Sequence, residues 1–379
     1  MSDEGPMIAR LCLSDLHLGD DRSTLSSPDV VRGVVSSLRE ISDGAIDTLI
    51  LNGDIWEECV PSDMTLELGL SRSVVRTSQY FFGPLFSQIK VRKVVLVPGN
   101  HDLCLWNWYA RNKGIDKFTP YTGASVCLSD WPWRQLLASF VGDLSVSYPI
   151  YHDLTAGPDF PALVFTHGHL LDPLVRGEDG DAEYAALAAL GCSRSDVSGE
   201  TTVTGLARAV HDFVLSLWRR YSPRDRTFAN YVMRRLLHPQ SCEWQNGSAR
   251  DGAYPLGDDV LHRDQPPAGE GYMGSVSTFL DLLMLDPSLP SPVGSIGGDP
   301  SGASFVQKPS CLVFGHDHLG ARKTVVSCGV PFYVVDSGGW TSEFEGHLPH
   351  CRALVWRKKE DVVPESYFVR ARTKGGGIL

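Results

Sequence analysis

Five short apolar runs recur along the chain, and polar residues follow each run directly. The five segments read ARLCLSDLHLGD, DTLILNGDIWEE, KVVLVPGNHD, PALVFTHGHLLD and PSCLVFGHDHLG. Continuous runs of this kind are typical of strands that are buried on both faces. Between Thr204 and Tyr221, apolar residues instead recur at the spacing of one helical face. The pattern therefore predicts a fold of buried strands and amphipathic helices.

Each strand is followed at once by Asp, Asn or His. Ligands of open α/β sheets gather outside the carboxyl ends of the strands. If the five strands lie side by side, these ends meet in one small volume, where unpaired acids and imidazoles are strongly destabilising. Carboxylates, amide oxygens and neutral imidazoles are ligands for Mn, Fe or Zn. A metal ion would therefore stabilise the cluster.

Each motif taken alone has a simpler interpretation. Asn or Asp after Gly commonly forms a hydrogen-bonded turn, and a single buried His is usually a satisfied core residue. The segment GHDH is more specific, because His316 and His318 point the same way on an extended chain. All five motifs together, each at a strand end, favour the metal site.

The five motifs resemble the motif set of the calcineurin-like metallophosphoesterases, in the same order. They stand here as Asp15 with His17, Gly53-Asp54 with Glu57, Gly99 to Asp102, His167-Gly168, and Gly315 to His318. The resemblance implies a four-layered α/β/β/α sandwich that hydrolyses phosphoric esters. It covers roughly residues 8–170 and 308–372.

The same resemblance implies a centre of two divalent or trivalent transition-metal ions, with Mn favoured over Fe or Zn. Asp54 is expected to bind both ions. The remaining ligands form two sets, Asp15, His17 and His318 for one ion and Asn100, His167 and His316 for the other. Two such ions acidify a shared water and clamp the phosphoryl oxygens during in-line attack.

Beside the ligands, His101 is expected to donate a proton to the leaving oxygen, with Asp102 fixing the tautomer of its imidazole. The competing interpretation makes His101 a further metal ligand. His169 has two interpretations, a group that supports the ligands from behind or a surface residue.

A long segment separates His167 from His316. Residues 172–305 are interpreted as an inserted helical cap, and residues 1–171 and 306–379 as the core. Residues 287–303 are rich in Pro, Gly and Ser, which is typical of a flexible return loop.

The first part of this insertion is rich in arginine. Seven arginines lie between residues 205 and 235, against only two acidic residues. Because a guanidinium group suits phosphate recognition, Arg219 and Arg220 are candidates for binding a substrate phosphate. The alternative is an ordinary solvated helix face.

The layout is most similar to that of the UDP-2,3-diacylglucosamine pyrophosphatases, which share DLHL, H-G and G-H-x-H and carry a cap in the same gap. This chain departs from them in having His101 where those enzymes commonly have arginine, and in its longer cap. The expected reaction is therefore hydrolysis of a phosphomonoester, phosphodiester or pyrophosphate bond in a small or lipid-linked substrate. The resemblance is used for this class of reaction and not for a particular substrate molecule.

The composition of the chain limits the kinds of partner and the compartment that we expect for this protein. The formal net charge of −11 argues against non-specific nucleic-acid binding, which needs a basic surface. Nine cysteines without a C-x-x-C pair favour a reducing compartment, and no signal peptide or spanning helix is evident, so we expect a cytoplasmic protein. Peripheral membrane contact by the cap and the oligomeric state stay open. The alternatives are a nuclease of the same superfamily and a non-catalytic protein-binding scaffold.

Overall fold

The computed structural model describes the greater part of the chain. The described residues are 7–20, 23–57, 70–154, 163–171, 200–220, 276, 279–284, 286, 310–316, 322–327, 329–340 and 351–369. Within these ranges lie twelve strands and five α-helices, besides the helical residues 279–284. The strands are β1 Ile8–Leu13, β2 Ala45–Asn52, β3 Lys90–Val97, β4 Ala124–Val126, β5 Asp143–Val146, β6 Tyr151–Asp153, β7 Leu163–Phe165, β8 Ser310–Phe314, β9 Arg322–Ser327, β10 Val330–Asp336, β11 Arg352–Trp356 and β12 Glu365–Phe368.

The strands form two mixed sheets. The first has seven strands in the order β12-β11-β1-β2-β3-β5-β4, and the second has five in the order β6-β7-β8-β10-β9. All five predicted strands are present, as β1, β2, β3, β7 and β8. Strands β1, β2 and β3 lie in the first sheet and β7 and β8 in the second, in agreement with the expected sandwich of two β layers.

The two sheets pack against each other through alternate residues of their strands. Cys12 and Ile50 of the first sheet share one apolar cluster with Phe165, Cys311 and Val313 of the second. Their immediate neighbours along the strands belong to a second apolar cluster, which also contains the helices. Because strand side chains alternate between faces, this division places one sheet on the other, with helices outside.

The helices are α1 Pro28–Ile41, α2 Arg72–Gln88, α3 Leu103–Lys113, α4 Trp133–Leu136 and α5 Val203–Arg220. Helix α1 buries a valine-rich face, and Ser71 caps α2 by accepting a hydrogen bond from the Val74 N–H. Helix α3 begins directly after the Asn100-His101-Asp102 segment and ends at Gly114 in the left-handed conformation.

Two parts of the predicted insertion pack on the rest of the protein. Helix α5 confirms the helical spacing that the sequence predicts, and residues 279–284 are also helical. Leu206 and Phe279 lie in the same apolar cluster as the strands. The Asp286 carboxylate accepts the Val203 N–H at 2.8 Å, which ties the two parts together at the start of α5. The predicted helices at 182–190 and after Asp225, and the return loop 287–303, lie outside the described residues.

Within the described ranges, none of the helices combines the length and apolar character needed to cross a bilayer.

Candidate metal centre

The carboxyl ends of the five predicted strands converge on one buried cluster. Backbone hydrogen bonds join the first two ends, from the Asp15 N–H to the Gly53 carbonyl and from the His17 N–H to the Asp54 carbonyl, both at 2.9 Å. The two sheets meet where the His316 N–H donates to Asp15 Oδ1 at 3.0 Å. The expectation that the strand ends meet therefore holds across two sheets rather than along one.

Two groups of ligand atoms lie within this cluster. The first contains His17, Asp54 and His101, and the second contains Asp54, His167 and His316, with the candidate atoms of each group within 4.8 Å of one another. All five side chains are buried. Asp54 belongs to both groups, which is the position expected for a shared carboxylate. The nitrogen and oxygen donors suit a divalent transition metal.

Asn100 and Asp15 border the second group. His167 Nε2 lies 3.0 Å from Asn100 Oδ1 and 3.0 Å from Asp54 Oδ2. The fully buried Asp15 has its Oδ1 atom 3.9 Å from His167 Nδ1. The described cluster thus contains Asp15, His17, Asp54, Asn100, His167 and His316. The remaining expected ligand, His318, lies outside the described residues.

The backbone at this cluster adopts conformations that side-chain-bearing residues rarely take. Asp15, His17, Asp54 and His316 have φ values of 54°, 46°, 49° and 82°. Left-handed backbone of this kind costs on the order of 1–3 kcal/mol per residue and is concentrated at functional sites. The strain at four candidate ligands supports a binding role for the cluster.

Gly99 allows the Asp54 carboxylate to approach the neighbouring strand end. A Cβ atom at Gly99 would overlap Asp54 Oδ1 and the Asp54 backbone nitrogen. Just beyond it, the His101 N–H donates to the same Oδ1 atom at 2.8 Å. The glycine of this motif is therefore required by contact with a candidate ligand rather than by turn formation alone.

Glu57 orients two imidazoles at once. Its Oε2 atom lies 2.7 Å from His17 Nδ1, and its Oε1 atom lies 2.9 Å from His101 Nδ1. Both imidazoles are thereby fixed with Nε2 facing Asp54, at 4.0 Å for His17 and 3.8 Å for His101. The sequence placed Glu57 in a motif but gave it no role, because the motif does not show which side chain it faces.

The Asp102 carboxylate contacts backbone N–H groups and not the imidazole of His101 that it was expected to orient. Its carboxylate accepts backbone N–H groups from Ile55, at 2.9 Å, and from Gly99. It thus braces the loops that follow β2 and β3. The expectation that Asp102 fixes the tautomer of His101 is wrong, because Glu57 holds the Nδ1 atom of that ring.

The charges of the cluster stabilise one another. Burial alone would raise the pKa of Asp54, but the neighbouring His167, His101 and His17 lower it well below its usual value. Burial opposes the charged form of His101, yet Glu57 and Asp54 raise its pKa to about 9. Burial and the Asp54 charge raise the pKa of Asp102 to about 7. These couplings show how tightly acids and imidazoles are packed here.

The other sequence-predicted residues lie in different surroundings. His169 is fully buried beside His167, with ring centroids 5.5 Å apart, so the interpretation of His169 as a surface residue is wrong. Arg219 and Arg220 end helix α5, and their side chains lie outside what the structure describes.

Sequence comparison agrees with this geometry. Residues 10–196 match the family model described as calcineurin-like phosphoesterase. The match begins in β1 and includes the ends of β1, β2, β3 and β7. No curated protein matches the chain. The matched region, residues 10–196, therefore belongs to the calcineurin-like phosphoesterases, a family of metal-dependent phosphoester hydrolases.

Proposed function

We propose that this chain is a two-metal phosphoesterase that hydrolyses a phosphomonoester, phosphodiester or pyrophosphate bond in a small or lipid-linked substrate. The observation that carries the proposal is the Asp54 carboxylate shared by two buried groups of ligand atoms. A single carboxylate between two sets of nitrogen and oxygen donors is suited to a pair of cations and not to one. Mn is the metal proposed, with Fe or Zn as alternatives, and mixed imidazole and carboxylate donors are compatible with all three.

The ligand sets proposed for the two ions share Asp54. One set adds Asp15, His17 and His318, and the other adds Asn100, His167 and His316. The Asn100 amide is a neutral ligand, which limits the negative charge that an incoming phosphate meets. When bound, two such ions supply an acidified water and neutralise charge on the phosphoryl oxygens.

His101 is proposed to donate the proton that the leaving oxygen needs. Its Nδ1 atom is held by Glu57, so Nε2 is the atom available to the substrate. The side chain is 7 % exposed, which keeps competing water away from this position. Its Nε2 atom lies within the first ligand-atom group, so a ligand role for His101 is the alternative that metal analysis of a variant tests.

The inserted segment 172–305 is proposed to cover the cleft and select the substrate. Helix α5 anchors this segment on the core, as the burial of Leu206 and Val210 supports. Arg219 and Arg220 are proposed to bind a substrate phosphate at the far end of the same helix.

Hydrolysis of p-nitrophenyl phosphate and of its bis ester, with Mn²⁺ added, tests the proposal. Asp54→Asn should lose activity together with bound metal, and His101→Asn should lose activity while keeping two metal ions. Lys359→Gln, an exposed change, serves as the control. A wild-type protein that binds two ions but cleaves none of a panel of phosphoesters, nucleotides and UDP-linked sugars would contradict the proposal and favour a scaffold.

A further inference from the structure

His169 is a buried imidazole next to the candidate metal centre that the proposed mechanism does not use. Its side chain is fully buried at the end of β7, two residues after His167. The His167 ring lies 5.5 Å from the His169 ring and 5.2 Å from the His316 ring. His169 therefore lies directly beside the second group of ligand atoms.

The two ring nitrogens of His169 have different surroundings. Nε2 lies 3.4 Å from the hydroxyl of Tyr148, and the two rings stack at 6.1 Å with an interplanar angle of 10°. Nδ1 is buried and has no hydrogen-bond partner within the described part of the chain. A buried polar atom without a partner is costly, so it calls for an explanation.

Tyr148 is itself held in place by the core. Its backbone N–H donates to Thr119 Oγ1 at 2.8 Å, and its carbonyl accepts the Thr119 N–H at 3.1 Å. The hydroxyl of Tyr148 can donate to His169 Nε2, and the proton of the imidazole is then on Nδ1. Nδ1–H becomes a fixed donor beside the metal centre.

A role of His169 as a metal ligand does not fit the geometry. Both groups of mutually close ligand atoms found among the described residues leave His169 out, although His167 and His316 are in the second. The imidazole thus lies beside the candidate ligands but outside both groups, so its Nδ1–H is a donor for an oxygen of a bound molecule rather than a ligand to a cation.

We infer that His169 is a further substrate-contacting residue, whose Nδ1–H donates to an oxygen of the phosphoryl group bound at this centre. Tyr148 is its positioning residue. The inference rests on the proposed function, because it takes the bound molecule to be a phosphoryl compound.

The experiment measures binding of inorganic phosphate to the full-length, Mn-loaded protein by titration calorimetry, together with metal content. His169→Ala should keep two metal ions and weaken phosphate binding about 10- to 100-fold, the effect of losing one hydrogen bond to a charged group. In His169→Asn the amide nitrogen stands near the place of Nδ1 and should restore part of the affinity, whereas His169→Gln should not. Tyr148→Phe should give a smaller loss than His169→Ala.

The matched control is His152→Asn. His152 is likewise buried, and both of its ring nitrogens lack a hydrogen-bond partner in the described part of the protein, but it lies on β6 away from the ligand atoms. Its substitution should leave phosphate affinity within twofold of the wild type.

Two results would overturn the inference. Loss of metal from His169→Ala would make His169 a ligand, and unchanged phosphate affinity with both ions bound would make it a packing residue. Failure of the proposed function is a separate outcome, in which the wild type itself fails to bind two ions or phosphate.

Discussion

Replacing Glu57 by glutamine tests how much the cluster depends on a residue behind the candidate ligands. The carboxylate uses one oxygen for each of two imidazoles, at 2.7 Å to His17 and 2.9 Å to His101. Glutamine has a single acceptor oxygen, and its NH₂ group would face an N–H donor. At most one of the two contacts therefore survives in Glu57→Gln.

The expected loss of activity follows from the loss of one of these two hydrogen bonds. A hydrogen bond to a charged group contributes about 1.5–3 kcal/mol. With a tenfold change for each 1.4 kcal/mol, activity should fall about 10- to 100-fold. This agrees with the usual effect of removing a group that orients a metal ligand. If the His17 contact is lost, metal affinity falls; if the His101 contact is lost, kcat falls with metal retained.

The assay is kcat/KM for p-nitrophenyl phosphate hydrolysis at saturating Mn²⁺, with metal content measured on the same samples. Glu360→Gln, at an exposed position, removes an equal charge far from the cluster and should behave as the wild type. Activity and metal content of Glu57→Gln both within twofold of the wild type would refute the reasoning, since Glu57 would then orient neither ring.

Three further substitutions test the packing around the site and the core. Gly99→Ala should lower metal affinity at least tenfold, because its Cβ overlaps a candidate ligand; metal titration measures this. Gly83→Ala, inside α2 with open space around its Cβ, should instead raise the free energy of unfolding by about 0.5–1 kcal/mol, and destabilisation there would contradict the geometry. Burial lowers the pKa of His152 from 6.5 to about 4, with nearby Asp153 opposing the shift. Between these two pKa values the unfolded chain binds more protons than the folded protein. The contribution of neutral His152 to the free energy of unfolding is therefore complete above pH 6.5 and is lost as the pH falls towards 4, by about 3 kcal/mol at most. His152→Leu should flatten that part of the urea-unfolding stability profile, and an unchanged slope would contradict the assignment.

The strands and the polar residues at their ends could be predicted from sequence because both are local properties. Continuous apolar runs predict buried strands, and β1, β2, β3, β7 and β8 are present as expected. Which sheet each strand enters could not be predicted from the apolar runs, because a strand buried on both faces gives the same pattern in either sheet.

The partners of individual side chains were harder to predict. Asp102 adjoins His101 in the chain and was the natural choice to orient it, but its carboxylate accepts the backbone N–H groups of Ile55 and Gly99. Glu57, which lies 44 positions before His101 in the chain, contacts the His101 ring instead. The burial of His169 likewise depends on Tyr148, whose position follows from the fold and not from the motif.

The hydrogen bond from the His316 N–H to Asp15 joins residues 301 positions apart. At the usual rate of synthesis, about 5–20 residues per second, some 15–60 seconds separate the appearance of these two residues on the ribosome. For most of that interval the nascent chain contains Asp15, His17 and Asp54 but lacks β8 and His316. The order of translation therefore places completion of the proposed metal centre among the last events in the maturation of this protein.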